Sequence, residues 1–513
     1  MIESARLNPQ APAGRTIDTM KPDYDLCVIG GGAAGLVVAA GGAGLGAKVV
    51  LVEQNRLGGD CLYYGCVPSK ALLKAASVFH QQHDRALFGL PPLNGRPPLD
   101  GPPGAGSQPE KAVASIPAVM QRVQEVIRGI EPHDSPERFR ALGVEVVQAR
   151  GRFTDPRTFE ADGRQLRARR FVLATGSRPA LPPIPGLDSV PYLTNETIFS
   201  LAEEVASLTV IGAGPIGCEL AQAFARLGTR VTLIGREPRL LAREDADAAE
   251  VVRASLARDG VQFELGATPT AVSGEAGRIR LEFTRAGDGS AGSIESSHLL
   301  IAAGRKVTVD GLGLAEAGVE VVDGRIVNDD RLRTTNPDIY VAGDAAGRQM
   351  FTHVAEHHAG VVLRNALFHL PARAESRVVP WCTFTDPELA RVGVSEAEAK
   401  AARLDFESYR FDFAELDRAR TDRETEGFAR ILTDRKGRLL GATIVGPHAG
   451  EAIAEYALAM AKKMKAADIS GVIHVYPTFG QINRRVADQR LKATLTPTIK
   501  RWMRWLFGLR GPQ

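Results

Sequence analysis

The sequence predicts an α/β chain: two βαβ domains on parallel sheets, then a third, α+β domain. Three observations predict it. The runs Asp25-Leu26-Cys27-Val28-Ile29-Gly30 and Ser207-Leu208-Thr209-Val210-Ile211-Gly212 are apolar and end in glycine. Each reads as a buried parallel strand. Each is followed by a helix-compatible stretch and a second apolar run, at residues 47–53 and 229–234. After about residue 374 the pattern changes, with a strand at 429–432 and a helix at 450–464. A length of 513 residues also suits three or four domains of roughly 150 residues.

The elements follow in order. Residues 1–21 are polar and lack an apolar h-region, so no secretory signal is expected. Residues 1–22 read as a flexible extension. Residues 90–109 carry Pro91-Pro92, Pro97-Pro98 and Pro102-Pro103 and read as a loop or flexible insertion. Residues 112–130 read as a helix, and strands resume near 148. The runs 171–176 and 299–304 are apolar, end in Gly176 and Gly304, and close the first and second halves. The expected domains are 23–190 with 311–373, then 191–310, then 374–495, with a tail at 496–513.

Apolar residues make up 44% and charged residues 24%, ordinary globular values. A core of this size needs no metal or disulfide staple, and no resident metal site is expected. The 63 basic and 60 acidic residues leave a net charge of +3, too balanced for a dedicated nucleic-acid binder. No run of 18 apolar residues occurs, so no membrane span is expected, and the cytoplasm is the expected compartment. Five cysteines are too few and too odd for a secreted disulfide framework. The 53 glycines exceed the usual ~7% and need an explanation.

Part of it lies in Gly30-Gly31-Gly32-Ala33-Ala34-Gly35. This is G-x-G-x-x-G after a strand and at the start of a helix. Gly30, Gly32 and Gly35 permit a tight turn and close approach to a pyrophosphate, whose charge the helix N-terminus stabilises. Glu53, at the end of the second strand, suits a ribose diol. A Gly-rich turn in an unrelated α/β domain is the bland alternative; strand, helix and acid in the right order argue against it. Gly212-Ala213-Gly214-Pro215-Ile216-Gly217 repeats the pattern through Gly212, Gly214 and Gly217. Here Gly235 stands where Glu53 stands in the first unit, and Arg236 follows. A missing acid and an added cation favour NADPH over NADH. Arg239 and Arg243 are further candidates, and a solvated surface role is the alternative for Arg236. Two dinucleotides suggest a held flavin and a visiting nicotinamide.

An acceptor beyond the flavin is offered by Gly58-Gly59-Asp60-Cys61-Leu62-Tyr63-Tyr64-Gly65-Cys66-Val67-Pro68-Ser69-Lys70. Cys61 and Cys66 are five apart on an expected helix, a spacing that does not stack on an ideal helix. Gly65 is expected to ease a local distortion. A thiol near a helix start and a lysine is acidified and reactive. Two buried filler cysteines are the dull alternative, which the specificity of the block disfavours. Cys27, Cys218 and Cys382 read as structural.

With these motifs the chain resembles the class I pyridine nucleotide–disulfide oxidoreductases, over about residues 24–491. The resemblance implies two Rossmann-like dinucleotide-binding domains, for FAD and NAD(P)H, and a C-terminal dimerisation domain that makes a homodimer. It implies that Gly59, Gly151, Thr175, Gly176, Ser177 and Gly304 lie along bound dinucleotides. Asp344, ending the motif at 335–344, would bind the ribityl chain. Lys70 and Glu219 would form an ion pair near the flavin ring. Residues 380–388 match the opening of the dimerisation domain. Cys66 would face the flavin and Cys61 would meet the substrate. Electrons would pass from NADPH to FAD, then to the Cys61–Cys66 disulfide, and then to an acceptor.

The chain departs from the family at its end. The family's His immediately before Pro-Thr is Tyr476 here, and the Glu four residues after that Pro is Gln481. A phenol, with a reference pKa near ~10, is a poor base at neutral pH. His474, two residues earlier, is a candidate proton carrier on the same side of an expected strand. The loss argues against efficient dihydrolipoamide or glutathione turnover. Mercuric reductases resemble this pattern, with Tyr before Pro-Thr, and the resemblance implies that the Tyr476 phenol assists metal-ion handling at thiols across the dimer; yet the vicinal cysteine pair of that branch is missing after Cys382 and its usual N-terminal metal-binding domain is not found. The leading expectation is a mercuric reductase-like enzyme that reduces a soft metal ion, or another disulfide or electrophile, at Cys61. A dihydrolipoamide dehydrogenase-like enzyme and a low-turnover flavin sensor are the alternatives. Trp502, Trp505, Leu506 and Leu509 sit at i, i+3, i+4 and i+7 among basic residues. That short amphipathic helix suits either an anionic membrane surface or packing within the dimer.

Overall fold

The computed structural model describes residues 21–82, 85–90 and 113–511. The expected extension, but for its last two residues, and the insertion from 91 to 109 lie outside the described residues.

The first sheet shows why the glycine turn sits where it does. Strands Tyr24–Ile29, Val49–Glu53 and Val144–Gln148 are parallel neighbours, and Arg164–Leu173 joins Tyr24–Ile29 on its other side. The apolar runs are buried on both faces, as a covered parallel sheet requires. Gly151–Asp155 and Thr158–Ala161 form an antiparallel extension of Arg164–Leu173. Strand Ile339–Val341 returns much later to pair in parallel with Arg164–Leu173. The second βαβ unit is therefore inserted into the first.

That second unit has a four-stranded parallel sheet in the order Gln262–Leu265, Arg230–Gly235, Ser207–Ile211, His298–Ile301. Its last strand stops at Ile301, just short of the glycine at 304. The third region is an antiparallel five-stranded sheet, Trp381–Thr383, Glu388–Gly393, Leu439–Gly446, Phe428–Thr433, Glu407–Asp412. Helices Ala449–Ala461 and Gln481–Thr494 pack with it. One apolar core joins Leu62 and Leu72 from the cysteine region, Phe224 and Leu233 from the second unit, and Phe428 and Val445 from the third. No helix among the described residues is long and apolar enough to cross a membrane.

Several boundaries differ from expectation for local reasons. The helix expected at 112–130 begins at Ile116, with Ser115 as N-cap and Pro117 in its first turn, where a missing N–H costs nothing. The helix expected to reach 464 stops at Ala461, and Lys463 turns left-handed at φ +56°. The tail helix spans Pro497–Phe507 and closes on left-handed Gly508, so Leu509 lies beyond it. Residues 472–480 are loop rather than strand, so the alternation that was to align His474 with Tyr476 does not apply.

Candidate active site

The two glycine turns have the same geometry. Gly30 sits at φ +108°, and a Cβ there would lie 2.3 Å from the Ala174 carbonyl oxygen. A Cβ on Gly35 would lie 1.8 Å from the Gly30 oxygen. In the second unit the matching distances are 2.3 Å from Gly212 to Ala302 and 1.9 Å from Gly217 to Gly212. No side chain fits at these points, so strand, turn and helix close on backbone alone. The helices that follow, Ala33–Gly44 and Pro215–Arg226, start at Gly32 and Gly214 with no side-chain cap. Their leading N–H groups therefore keep capacity for an anion. That geometry fits a dinucleotide pyrophosphate at each turn. Glu53 also braces the first turn, accepting the Gly31 N–H at 2.6 Å and the Asn55 N–H at 2.7 Å.

The cysteines occupy two helices, Gly59–Tyr63 and Cys66–Gln81. The expected single helix breaks at Tyr64 and Gly65, where Gly65 takes φ −124°, ψ −108°. A Cβ on Gly65 would meet Asp60 at 3.0 Å. The break places Cys66 at the start of the longer helix. Its sulfur lies 3.3 Å from the Thr352 hydroxyl, at the start of helix Thr352–Phe368. Hydrogen bonding from Cys61, then from Thr352, and the Lys70 charge outweigh desolvation and draw the Cys66 thiol down to about 6. Hydrogen bonding to Cys66, followed by burial, pushes Cys61 well up. The pair thus divides into one thiolate and one thiol. Gly59 presses on the first glycine turn, since a Cβ there would lie 2.6 Å from the Gly32 Cα.

Lys70 and Glu219 meet as the resemblance implies, Nζ to Oε2 at 2.9 Å. The other Glu219 oxygen accepts the Phe384 N–H at 2.9 Å. A linked set of residues surrounds Asp344. Ser177 donates to Asp344 at 2.5 Å, Arg305 donates to the Ser177 hydroxyl at 2.7 Å, and Arg305 pairs with Asp60 at 3.1 Å. Burial raises the Asp344 carboxyl above its ordinary value. Thr175 donates to the Thr308 carbonyl at 2.9 Å. The hydroxyls of Thr175 and Ser177 are thus engaged within the chain. Gly151 has a packing reason of its own, for a Cβ there would meet the Phe159 ring at 2.3 Å. Gly176 and Gly304 have positive φ and open space on the Cβ side. Sequence reasoning missed Thr352, Arg305 and Asn195, which donates to Asp60 at 3.2 Å. Thr352 lies 286 residues from Cys66, so no local pattern points to it.

At the second turn, a Cβ on Gly235 would lie 2.8 Å from the Ala213 Cβ. An acid at that position is therefore crowded out as well as missing. Arg236 is exposed beyond the strand end. Arg239 is tied down, donating to the Glu244 and Ala242 carbonyls at 2.6 and 2.7 Å.

The C-terminal loop holds neither half of an acid–base dyad. The Tyr476 hydroxyl donates to Asp417 at 3.0 Å, and the Asp417 hydrogen bond and charge raise its pKa above the ordinary phenol value. Gln481 is buried at the start of its helix. His474 is engaged on both ring nitrogens, Nδ1 with the Val472 carbonyl and Nε2 with Glu455, each at 3.0 Å. That leaves it no nitrogen for a neighbouring thiol. Cys27 and Cys218 are fully buried, and burial raises their thiols and that of Cys382 far above the reactive range.

Comparison with known proteins identifies the family. The pyridine nucleotide-disulphide oxidoreductase model matches residues 24–359, and the model of that family's dimerisation domain matches 379–485. A mercuric reductase of Bacillus cereus is 35% identical over 463 residues, covering 90% of this chain and 70% of that protein. Dihydrolipoyl dehydrogenase 3 of Pseudomonas aeruginosa is 34% identical over 477 residues, covering 91% and 98%. Among solved structures, a Cu(II) complex of the HOCl-induced flavoprotein disulfide reductase RclA of Escherichia coli superposes with a TM-score of 0.78 at 25% identity, covering 92% of this chain and 100% of that one. The chain belongs to the pyridine nucleotide-disulphide oxidoreductases, FAD-dependent enzymes that draw electrons from NAD(P)H.

Proposed function

We propose that the protein is an NADPH-dependent reductase of a soft metal ion, working through the Cys61–Cys66 pair in the manner of a mercuric reductase. One observation carries the reading: the pair makes its own thiolate, while the family's base positions hold Tyr476, bound to Asp417, and Gln481. FAD, held along the first glycine turn and near Lys70 and Asp344, supplies two-electron relay between nicotinamide and disulfide when bound. The second turn, with Gly235 and Arg236, takes NADPH.

The chain's own residues then govern the protons. Cys61, Thr352 and Lys70 draw the Cys66 thiol below its ordinary value, so thiolate is the favoured form at that sulfur. Cys61 keeps its proton until a substrate removes it. A disulfide substrate needs that proton delivered to its leaving sulfur, and no base or acid here is tuned for the task. A soft metal ion displaces thiol protons by itself, because its ligands bind deprotonated. The missing dyad therefore costs a metal-ion substrate little and a disulfide substrate much. The two electrons of one NADPH reduce one Hg(II) to the element or two Cu(II) to Cu(I), and one proton is released. A catalytic pair of this kind suits a reducing compartment, and the cytoplasm is the compartment this reading assigns.

An anaerobic NADPH titration followed by Hg(II), Cu(II), lipoamide, glutathione disulfide and quinones tests it. Cu(II) is included because the Escherichia coli flavoprotein is a Cu(II) complex. Fast NADPH oxidation with Hg(II) or Cu(II), lost in Cys61→Ser, is expected. Turnover confined to lipoamide would replace this reading with the dihydrolipoamide dehydrogenase one, which the 34% identity to a Pseudomonas dihydrolipoyl dehydrogenase keeps in view.

A further inference from the structure

The C-terminal helix takes no part in the site above. It spans Pro497–Phe507 and buries none of its residues. Its ends are set locally rather than by packing. The Thr496 hydroxyl accepts the Ile499 N–H at 3.3 Å, and Pro497 opens the first turn. Gly508 closes the helix at φ +61°, with the Leu509 N–H bonded to the Arg504 carbonyl at 3.2 Å. These are the signals of a helix that forms on its own segment.

Its faces are sharply divided. Ile499, Trp502, Met503 and Leu506 follow i, i+3, i+4, i+7 and make one stripe. Phe507 and Trp505 widen it on either side. Trp502 is 63% and Trp505 77% exposed, their rings meeting edge to face at 5.8 Å. At about 100° per residue, Lys500, Arg501 and Arg504 fall on the opposite face. Arg510 follows, and no acidic residue occurs after Asp488.

We propose that this helix docks the enzyme on an anionic lipid bilayer, lying in the headgroup plane. Three features favour that occupant over a second copy of the chain. The charges are all of one sign, so an anionic surface complements them, whereas two tails paired on their apolar stripes turn the basic faces outward and leave them unmatched. Tryptophans flanked by basic residues suit the boundary between headgroup and acyl chain, where one side is apolar and the other wet. The family's dimerisation model ends at residue 485, before the helix begins. A homodimer presents two such helices, so two weak contacts combine.

The test is sedimentation of the full-length flavoprotein with phosphatidylcholine vesicles, with and without phosphatidylglycerol. Binding is expected only with phosphatidylglycerol, with a blue shift of tryptophan emission, and salt should reverse it. Lys500→Gln removes one charge from each helix of the dimer and should weaken the partition roughly 25-fold, about fivefold per helix. A Trp502→Glu, Trp505→Glu double variant should abolish it while flavin content and NADPH oxidation stay unchanged. No binding to either vesicle, equal binding to both, or binding retained in the double variant overturns the proposal. So does a change from dimer to monomer, by light scattering, on deleting residues 496–513, which would assign the helix to the protein interface.

Discussion

Cys66 gains its acidity from neighbours that arrive from three places. Cys61 comes from the preceding helix, Lys70 from the same helix, and Thr352 from a helix near the end of the first domain. The shift is downward, from an ordinary thiol value of 9.0 to about 6. The thiolate is therefore present above about pH 6 and is lost as pH falls through that value. The stability it contributes is complete above the free-thiol value and disappears over the same fall. Alkylation of Cys66 in the reduced protein, followed by mass spectrometry, should show a midpoint near pH 6. Replacing Thr352 by Val removes one hydrogen bond to the sulfur and should raise that midpoint by about one unit. A wild-type midpoint at the free-thiol value would contradict this account of the pair.

At the scale of elements, the site depends on two close approaches. The first is the glycine turn, where strand and helix meet with no room for a methyl group. Gly35→Ala sets a Cβ 1.8 Å from the Gly30 oxygen, so the turn must open. Purified Gly35→Ala is expected to lose most of its flavin, read from its visible absorbance, and to unfold earlier on heating. The second is the Lys70–Glu219 bridge between the cysteine helix and helix Pro215–Arg226. Glu219 is 7% exposed and Lys70 38%. Lys70→Met leaves a buried carboxylate with the Phe384 N–H as its remaining partner. The cost should be about 1–2 kcal/mol, below the ~3–5 of a fully buried pair because water reaches Lys70. Glu219→Gln keeps a hydrogen-bonding group in place and should cost less, and denaturant unfolding of both variants decides the order.

For the whole molecule, the loop around Tyr476 is the informative part. Ile473 is 93% exposed, Val475 74% and Tyr476 61% in a single protomer. Such an apolar row needs a cover, and the family's dimerisation domain supports a homodimer. If Tyr476 serves the partner's thiols, two damaged protomers should repair each other. Cys61→Ser and Tyr476→Ala, co-expressed with different affinity tags, should give hybrid dimers with one intact site. Their metal-ion turnover per dimer should approach about half that of the wild type, since a two-fold dimer has two equivalent sites. Hybrids no better than the parent variants would place Tyr476 outside the site.

Local sequence carried a large share of this description. The glycine turns, the buried strands beside them and the cysteine block were legible because each depends on spacing within a few residues. The glycine-for-acid exchange at 235 was legible because the two βαβ units share one register. The break between the cysteine helices was foreshadowed by Gly65, although its form was not. What the sequence could not supply were partners brought together across hundreds of residues: Thr352 at Cys66, Arg305 between Asp60 and Ser177, and Glu455 on His474. Periodicity specifies which face of an element is buried, but only packing decides which distant side chain faces it. The Cys61–Cys66 pair and the lysine beside it were thus readable from their own segment, while the Thr352 hydrogen bond that completes the division into thiolate and thiol was decided by the tertiary structure, because only packing brings a side chain 286 residues away to the sulfur.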